Sequence, residues 1–173
     1  TVFSLNRQET EELITKLLAA RVDLAKHLQE VLISAKKLSG YKEPSVINEP
    51  AFAGRIQREG YVIEKYFVKG EGDYIIPYLL MLPVKPNDKA VIYLHPSGKS
   101  TGASAGGEME WFVRNGFTVL APDMIGTGEM GPGIFTGDAD IDSISYNLWY
   151  TSILIGRSIV GIRAGDVVRL TRL

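Results

Sequence analysis

Two serines in a glycine-rich stretch are the first residues of this chain whose type and spacing suggest chemistry. The segments 98–102 and 102–106 both match Gly-x-Ser-x-Gly, the string that surrounds a nucleophilic serine in many enzymes. Such a serine stands on a strained turn directly between a buried strand and a helix. The nearest predicted strand ends near Leu94, about ten residues before Ser104. We therefore expect Ser104 to be a helix N-cap.

Histidine is scarce, and its position limits what Ser100 and Ser104 can do. The chain contains only His27 and His95, and neither follows the two serines. Serine nucleophiles on a strand-to-helix turn are followed along the chain by an acid and then a histidine. This order argues against Ser100 and Ser104 as nucleophiles. A self-contained hydrolase that pairs Ser104 with His95 remains the alternative, whereas His27 is predicted to be a solvated surface residue.

Two further strings suggest nucleotide or ligand chemistry. Gly98-Lys99-Ser100 resembles the end of a phosphate-binding loop, but the glycine that this motif needs five positions earlier is Tyr93. Asp123 follows a predicted buried strand, where carboxylates can face a ligand at the edge of a sheet. The simpler interpretation is that Asp123 holds the loop of Gly126 and Gly128. We predict no cofactor.

Metal sites are also not indicated. Asp138, Asp140 and Asp142 alternate like the start of a calcium loop, but Ser143 and Trp149 occupy the positions of its glycine and glutamate. There is no cysteine, which excludes disulfides, thiolate nucleophiles and zinc–cysteine sites. We predict no metal.

Composition describes an ordinary cored domain. The 173 residues are 45% hydrophobic and 23% charged, with a formal net charge of −1. That charge offers no attractive field for nucleic acid or anionic lipid. No apolar run approaches the roughly 20 residues of a membrane span, and the first residues do not form a signal peptide. The compartment stays open, including export after removal of a signal.

The first half of the chain predicts a helical lead followed by a hairpin. Residues 6–38 show an apolar stripe at helical spacing and predict one long helix that packs within its own chain. Residues 41–58 contain prolines and little periodicity, and predict a surface linker. Two runs, 61–68 and 74–82, flank a short glycine-rich connection and predict an antiparallel hairpin, in which Pro77 indicates an edge or a bulge. We expect one region over 1–58 and another over 59–173.

The second half predicts a parallel βαβ unit and a last helix. Residues 90–94 and 117–121 are short apolar runs typical of strands buried on both faces. Between them, 108–114 is an amphipathic helix that ends at Asn115-Gly116. The segment 146–173 predicts one further helix, in which glycines allow close approach to the sheet.

Three motifs in this order resemble the α/β-hydrolase superfamily, in its acetyl xylan esterase and dienelactone hydrolase branch. The resemblance covers roughly residues 59–173 and rests on the following motifs: His95-Pro96-x-Gly98, Gly116-Phe117-Thr118-Val119-Leu120-Ala121-Pro122-Asp123-x-x-Gly126-x-Gly128, and Gly156-Arg157-Ser158-x-x-Gly161-x-Arg163-x-x-Asp166-Val167. It implies an α/β fold and the N-terminal half of a hydrolase domain, truncated before the nucleophile elbow.

The resemblance also implies a role for the loop after residue 94. The family uses this loop to supply a backbone N–H of the oxyanion hole, which would fall to Ser97 or Gly98, with His95 fixing the turn. Pro96 has no N–H and cannot serve. The family's serine, acid and histidine would lie beyond Leu173.

The expected function is therefore that of a fragment. The whole protein would cleave small esters, such as acetyl groups on carbohydrate, through a serine acyl-enzyme, and this chain alone would be inactive. A non-catalytic binding or interaction module on the same scaffold is the alternative. A sheet cut after two parallel strands leaves a bare edge, so we expect self-association or pairing with the missing C-terminal half.

Overall fold

The computed structural model describes residues 1–131, 139–141 and 144–173. The chain divides into two compact units, Thr1–Ser39 and Gly40–Leu173. The first is helical, and the second contains a five-stranded sheet with helices. The architecture is mixed α/β, as the sequence predicts.

The helical unit consists of α1 (Val2–Ala20) and α2 (Leu24–Ser39), so the prediction of one helix over 6–38 is wrong. The interruption has a local cause at Asp23. Its carboxylate accepts a hydrogen bond from the Lys26 N–H at 3.1 Å and satisfies one of the free donors of a new helix start. Neither helix contains a buried residue.

The sheet of the second unit has the order β1-β2-β3-β5-β4. The first three strands form an antiparallel meander, and the last two form a parallel pair. Its strands are β1 (Ala51–Arg58), β2 (Tyr61–Lys69), β3 (Ile75–Pro83), β4 (Ala90–Ile92) and β5 (Thr118–Pro122). Residues 51–58, predicted as surface linker, thus form the edge strand β1.

The predicted hairpin is confirmed as β2 and β3, but Pro77 lies on neither an edge nor a bulge. β3 pairs with β2 on one side and with β5 on the other. The Pro77 carbonyl accepts the Asp123 N–H at 2.9 Å, directly after the last paired residue of β5. Since N–H and C=O of one strand residue point the same way, the N–H that proline lacks falls where that ladder ends.

The βαβ unit is also confirmed. β4 and β5 are parallel, and α3 (Glu108–Arg114) lies between them in the chain. Gly116 follows α3 with φ of +88° and ends it as predicted. β4 forms the outer edge of the sheet and is only half-buried, so the expectation that it is covered on both faces is wrong.

The segment predicted as one long helix over 146–173 forms two helices instead, and two short strands precede it. The elements are β6 (Asp140–Ile141), β7 (Ile144–Ser145), α4 (Tyr146–Leu154) and α5 (Ile159–Leu170). Gly156 has φ of +71°, a conformation that ends α4. Ser158 then starts α5, because its hydroxyl accepts the Gly161 N–H at 3.1 Å.

Each face of the sheet carries its own core. On one face, α3 inserts Met109 and Val113 among side chains of β2, β3 and β5. On the other face, Leu170 of α5 packs with Val68, Ile76 and Tyr78. The loops that follow β4 and β5 emerge between these two cores, at the carboxyl ends of the parallel strands. None of the helices in the described ranges is both long enough and apolar enough to cross a bilayer.

Candidate functional site

The loop after β4 begins with a tight turn built on His95. The Ser97 N–H donates to the imidazole Nδ1 of His95 at 3.1 Å, and the Gly98 N–H donates to the His95 carbonyl at 3.0 Å. The imidazole also stacks on Tyr93, with ring centroids 6.3 Å apart. The three residues named for the oxyanion loop therefore lie together. In this geometry both N–H groups are engaged within the turn itself.

The next residue, Lys99, joins this loop to the loop after β5. Its ammonium lies 2.5 Å from the Asp123 carboxylate and 2.5 Å from the Glu129 carboxylate, and its N–H donates to Asp123 at 2.6 Å. The Glu129 N–H donates to the same carboxylate at 2.8 Å. We call these three residues the lysine–carboxylate cluster. Asp123 ties down its own loop, as predicted, and also the neighbouring one.

Burial divides the lysine–carboxylate cluster into an inner and an outer half. The side chains of Lys99 and Asp123 are 9% and 2% exposed, whereas that of Glu129 is 71% exposed. A buried charge pair persists only when its remaining hydrogen-bonding positions are also filled. Asp123 meets this condition, because two backbone N–H groups complete its shell.

Two glycines make room for the Asp123 carboxylate. A Cβ built on Gly98, which has φ of +94°, would lie 2.7 Å from Asp123 Oδ1 and 2.5 Å from the Gly128 Cα. A Cβ on Gly128, with φ of +49°, would lie 2.3 Å from the same oxygen. Larger residues at either position would collide with the buried carboxylate. The two loops can approach each other only because both positions are glycine.

The predicted role of Ser104 as a helix N-cap is wrong. The N-cap of α3 is Gly107, which makes no side-chain capping bond, and the first turn is held by the Gly106 N–H donating to Glu110. That bond and the Arg114 guanidinium hold the pKa of Glu110 below its ordinary value. The exposed Ser104 hydroxyl has no hydrogen-bond partner in the described part of the chain. No hydrogen bond joins His95 and Ser104 in the described residues.

A groove opens beside the lysine–carboxylate cluster, on the face of the sheet that α3 covers only in part. We call it the sheet groove. It has a volume of about 550 Å³. Its sheet side is largely apolar, and its opposite wall comes from the two loops; the residues that define it here are Ile63, Phe67, Leu79, Lys99, Ser104 and Glu129. Ligands of open α/β sheets bind at the carboxyl ends of parallel strands, where this groove lies.

A second buried polar group lies on the opposite face, under α5. Asp166 is fully buried and accepts the Tyr74 hydroxyl at 2.6 Å, and burial raises the pKa of both side chains. The Arg169 Nε lies 3.8 Å from the other Asp166 oxygen. Nearby, Arg157 pairs with Glu71 and holds the pKa of that carboxyl below its ordinary value. These contacts join α5 to the β2–β3 turn.

Metal binding finds no support among the described residues, which contain no group of three or more histidine, aspartate and glutamate side chains arranged to hold an ion. Of the calcium-loop candidates, Asp138 and Asp142 lie outside the described residues. Asp140 begins the short strand β6.

Lys99 is the residue that sequence reasoning missed. In the sequence, Lys99 stands out only as part of a phosphate-loop string, whereas its partners lie 24 and 30 positions away. One signal was available. Parallel strands place their carboxyl ends side by side, so a lysine after one strand and an aspartate after the next are expected to approach each other.

Comparison with known proteins supports the fold but does not assign the chain to a family. No protein-family model matches the chain, and no curated protein matches it. Among solved structures, the crystal structure of a putative acetyl xylan esterase from Bacteroides fragilis is similar, with 18% sequence identity and a TM-score of 0.65. The similarity covers 86% of this chain but only 42% of that one. At this identity, the similarity establishes the α/β fold alone.

Proposed function

We propose that this chain forms the first part of a carboxylic ester hydrolase of the acetyl xylan esterase type. The observation that carries the proposal is the structural similarity along 86% of the chain to a protein of that description. The substrate class would be small esters, such as acetyl groups on carbohydrate. The reaction would proceed through an acyl-enzyme formed by a serine.

The geometry after β4 supports a role in binding rather than in bond cleavage. The His95 turn and the lysine–carboxylate cluster lie at the carboxyl ends of the parallel strands, where such a scaffold binds its ligand. The proposed contribution of Ser97 or Gly98 is one backbone N–H for the oxyanion. Because both N–H groups are bonded to His95 here, serving an oxyanion requires the turn to reorient when substrate binds.

The proposal places the catalytic serine, acid and histidine outside these 173 residues. Three observations support this. Ser104 has no imidazole partner in the described ranges, and the similar structure is matched over only 42% of its length. In addition, β5 is the only described strand that pairs with β4, and an apolar cavity of about 610 Å³ opens beside the β4 residues Val91 and Ile92. A further strand of the complete domain would pair with that edge.

A second function, a non-catalytic binding module, is favoured by one specific observation. The N–H groups of Ser97 and Gly98 are satisfied inside their turn, so neither is free to bind a developing oxyanion in this geometry. The sheet groove would then be the binding site of such a module. This candidate predicts no hydrolysis even when the chain is part of a longer protein.

Ester hydrolysis tests these alternatives. The 19.0 kDa chain and its Ser104→Ala variant are assayed with p-nitrophenyl acetate, with Ser97→Ala as the matched control. We expect no turnover above buffer in any of them. Turnover that is lost only in Ser104→Ala would make Ser104 the nucleophile and refute the proposal.

The same assay on the protein product of a longer reading frame distinguishes the first part of an ester hydrolase from a binding module. If the frame that encodes this chain continues, we expect it to add a strand, a Gly-x-Ser-x-Gly turn, an acid and a histidine, in that order. The longer product should hydrolyse the ester, and alanine at the new serine should abolish turnover. An inactive longer product that contains those residues would favour the binding module.

A further inference from the structure

The sheet groove exposes apolar side chains that a complete core would cover. Met109 and Val113 of α3 pack against one part of this face. Beyond them, Phe67 of β2 and Ile75 of β3 remain 37% and 48% exposed, and both line the groove. Apolar surface that stays exposed beside polar walls is typical of a ligand site. The volume of about 550 Å³ is that of a small-molecule pocket.

One positive charge interrupts this apolar floor. Lys65 lies on β2 between Ile63 and Phe67 and opposite Leu79 of β3, so it shares their face of the sheet. Its ammonium makes no ion pair or hydrogen bond within the described ranges. Arg58, farther along the same face, lines the groove without an ion-pair partner among the described residues.

The remaining charges of the groove are paired but do not cancel. One Lys99 ammonium faces the two carboxylates of Asp123 and Glu129, so this cluster keeps one excess negative charge, on the exposed Glu129. The Glu64 carboxylate, next to Lys65 in the chain, lies on the opposite face of β2 and pairs with Arg55 at 3.4 Å. Lys65 and Arg58 together outweigh the single excess negative charge at Glu129. The groove therefore has a net positive charge, which is centred on Lys65 and Arg58.

We propose that the sheet groove binds a small amphipathic monoanion, namely a carboxylate attached to an aromatic ring or a short alkyl chain. The carboxylate pairs with Lys65, and the apolar part lies against Phe67 and Leu79. Charge complementarity selects the anion, and the exposed floor selects its apolar part. This site goes beyond ester hydrolysis. It needs no nucleophile and leaves the esterase proposal unaffected if it fails.

Comparing a carboxylate with its neutral amide isolates the contribution of the ligand's negative charge to binding. Binding of 4-phenylbutyrate and of the neutral 4-phenylbutanamide to the full chain is measured by isothermal titration calorimetry at low salt. We expect the anion to bind about two- to fivefold more tightly than the amide, and added salt to reduce this preference. Equal binding of the two, or no binding of either, would overturn the proposal.

Matched variants locate the site. Lys65→Gln should weaken binding of the anion about two- to fivefold and leave binding of the amide unchanged, whereas Lys65→Arg should retain the preference for the anion. Lys89→Gln, at an exposed lysine outside the groove, is the control for general charge and should change neither ligand. Phe67→Ala, at an exposed position, should weaken binding of both the anion and the amide. If Lys65→Gln binds the anion like the unmodified chain, Lys65 only covers the floor with its stem and the proposal is wrong.

Discussion

Replacing Asp123 with asparagine is the sharpest test of the lysine–carboxylate cluster. The carboxylate accepts three hydrogen bonds, from the Lys99 ammonium, the Lys99 N–H and the Glu129 N–H. An amide of the same shape has one oxygen and brings an NH₂ group of its own. At least one of the three donors must then face another donor. The buried Lys99 ammonium also keeps only its exposed partner, Glu129.

The structure sets the size of the effect. Losing a hydrogen bond to a charged group costs about 1.5–3 kcal/mol, and breaking a fully buried ion pair costs about 3–5 kcal/mol. Because Glu129 continues to neutralise Lys99, we expect Asp123→Asn to lower the free energy of unfolding by about 2–4 kcal/mol. Glu129→Gln is the control. Its side chain is 71% exposed, so we expect a loss of only about 0–1 kcal/mol.

Urea unfolding followed by tryptophan fluorescence measures this difference in the right part of the chain. Both tryptophans, Trp111 and Trp149, belong to the second unit, so the signal excludes the helical unit. With a slope of about 2 kcal/mol per molar urea, Asp123→Asn should lower the midpoint by about 1–2 M. A midpoint within about 0.3 M of the unmodified chain, or an equal effect of Glu129→Gln, would refute the buried-pair argument.

Three further predictions concern the glycine contact, the acid response and the edge of the sheet. Gly98→Ala should destabilise the chain by about 2–4 kcal/mol in the same urea assay. In the control Gly106→Ala, the new Cβ meets no atom within 4 Å, and the loss should be only about 1 kcal/mol. Equal losses would contradict the predicted collision of a Cβ at position 98 with Gly128 and Asp123. Arg157 lowers the pKa of Glu71, so this pair stabilises the fold above the unfolded pKa of the carboxyl. That stabilisation is lost as the pH falls through the folded pKa. Glu71→Gln should therefore remove this part of the acid dependence in unfolding curves. Light scattering should give a mass above 19.0 kDa for the chain, and Ile92→Lys should shift it toward the monomer; a monomeric unmodified chain would contradict self-association through β4.

Local patterns predicted those elements whose side chains face a core. The apolar residues of β2, β3 and β5 and the apolar positions of α3 include many side chains that the fold buries. β1 was missed because most of its residues are exposed, so no apolar pattern marks it. Its strand conformation comes from backbone pairing with β2, which a reading of the segment by itself does not include.

The two predictions of one long helix were wrong for a different reason. Apolar residues continue at helical spacing past Asp23 and past Gly156, but single residues stop each helix. Asp23 offers its carboxylate to a free N–H, and Gly156 adopts a positive φ. Periodicity over a long window averages across such positions.

The sequence indicated which loops form the candidate site, but it did not indicate the contacts between those loops. The turn at His95 is implied by the family resemblance, whereas the tying role of Asp123 follows from its position directly after a buried strand. The partnership with Lys99 depends on which strands are neighbours in the sheet, and the sheet groove depends on how much of a face α3 covers. Both are properties of tertiary packing, which local sequence does not encode.

The strand order also has a consequence for the timing of synthesis. β1, β2 and β3 are neighbours both in the chain and in the sheet, so each can pair as soon as it leaves the ribosome. β4 is made next, but β5 separates it from β3 in the sheet. About 30 more residues must be added before β5 is complete, which takes roughly 2–6 seconds at ordinary elongation rates. During that interval Val91 and Ile92 have no strand to pair with, and the nascent chain is then most in need of a chaperone.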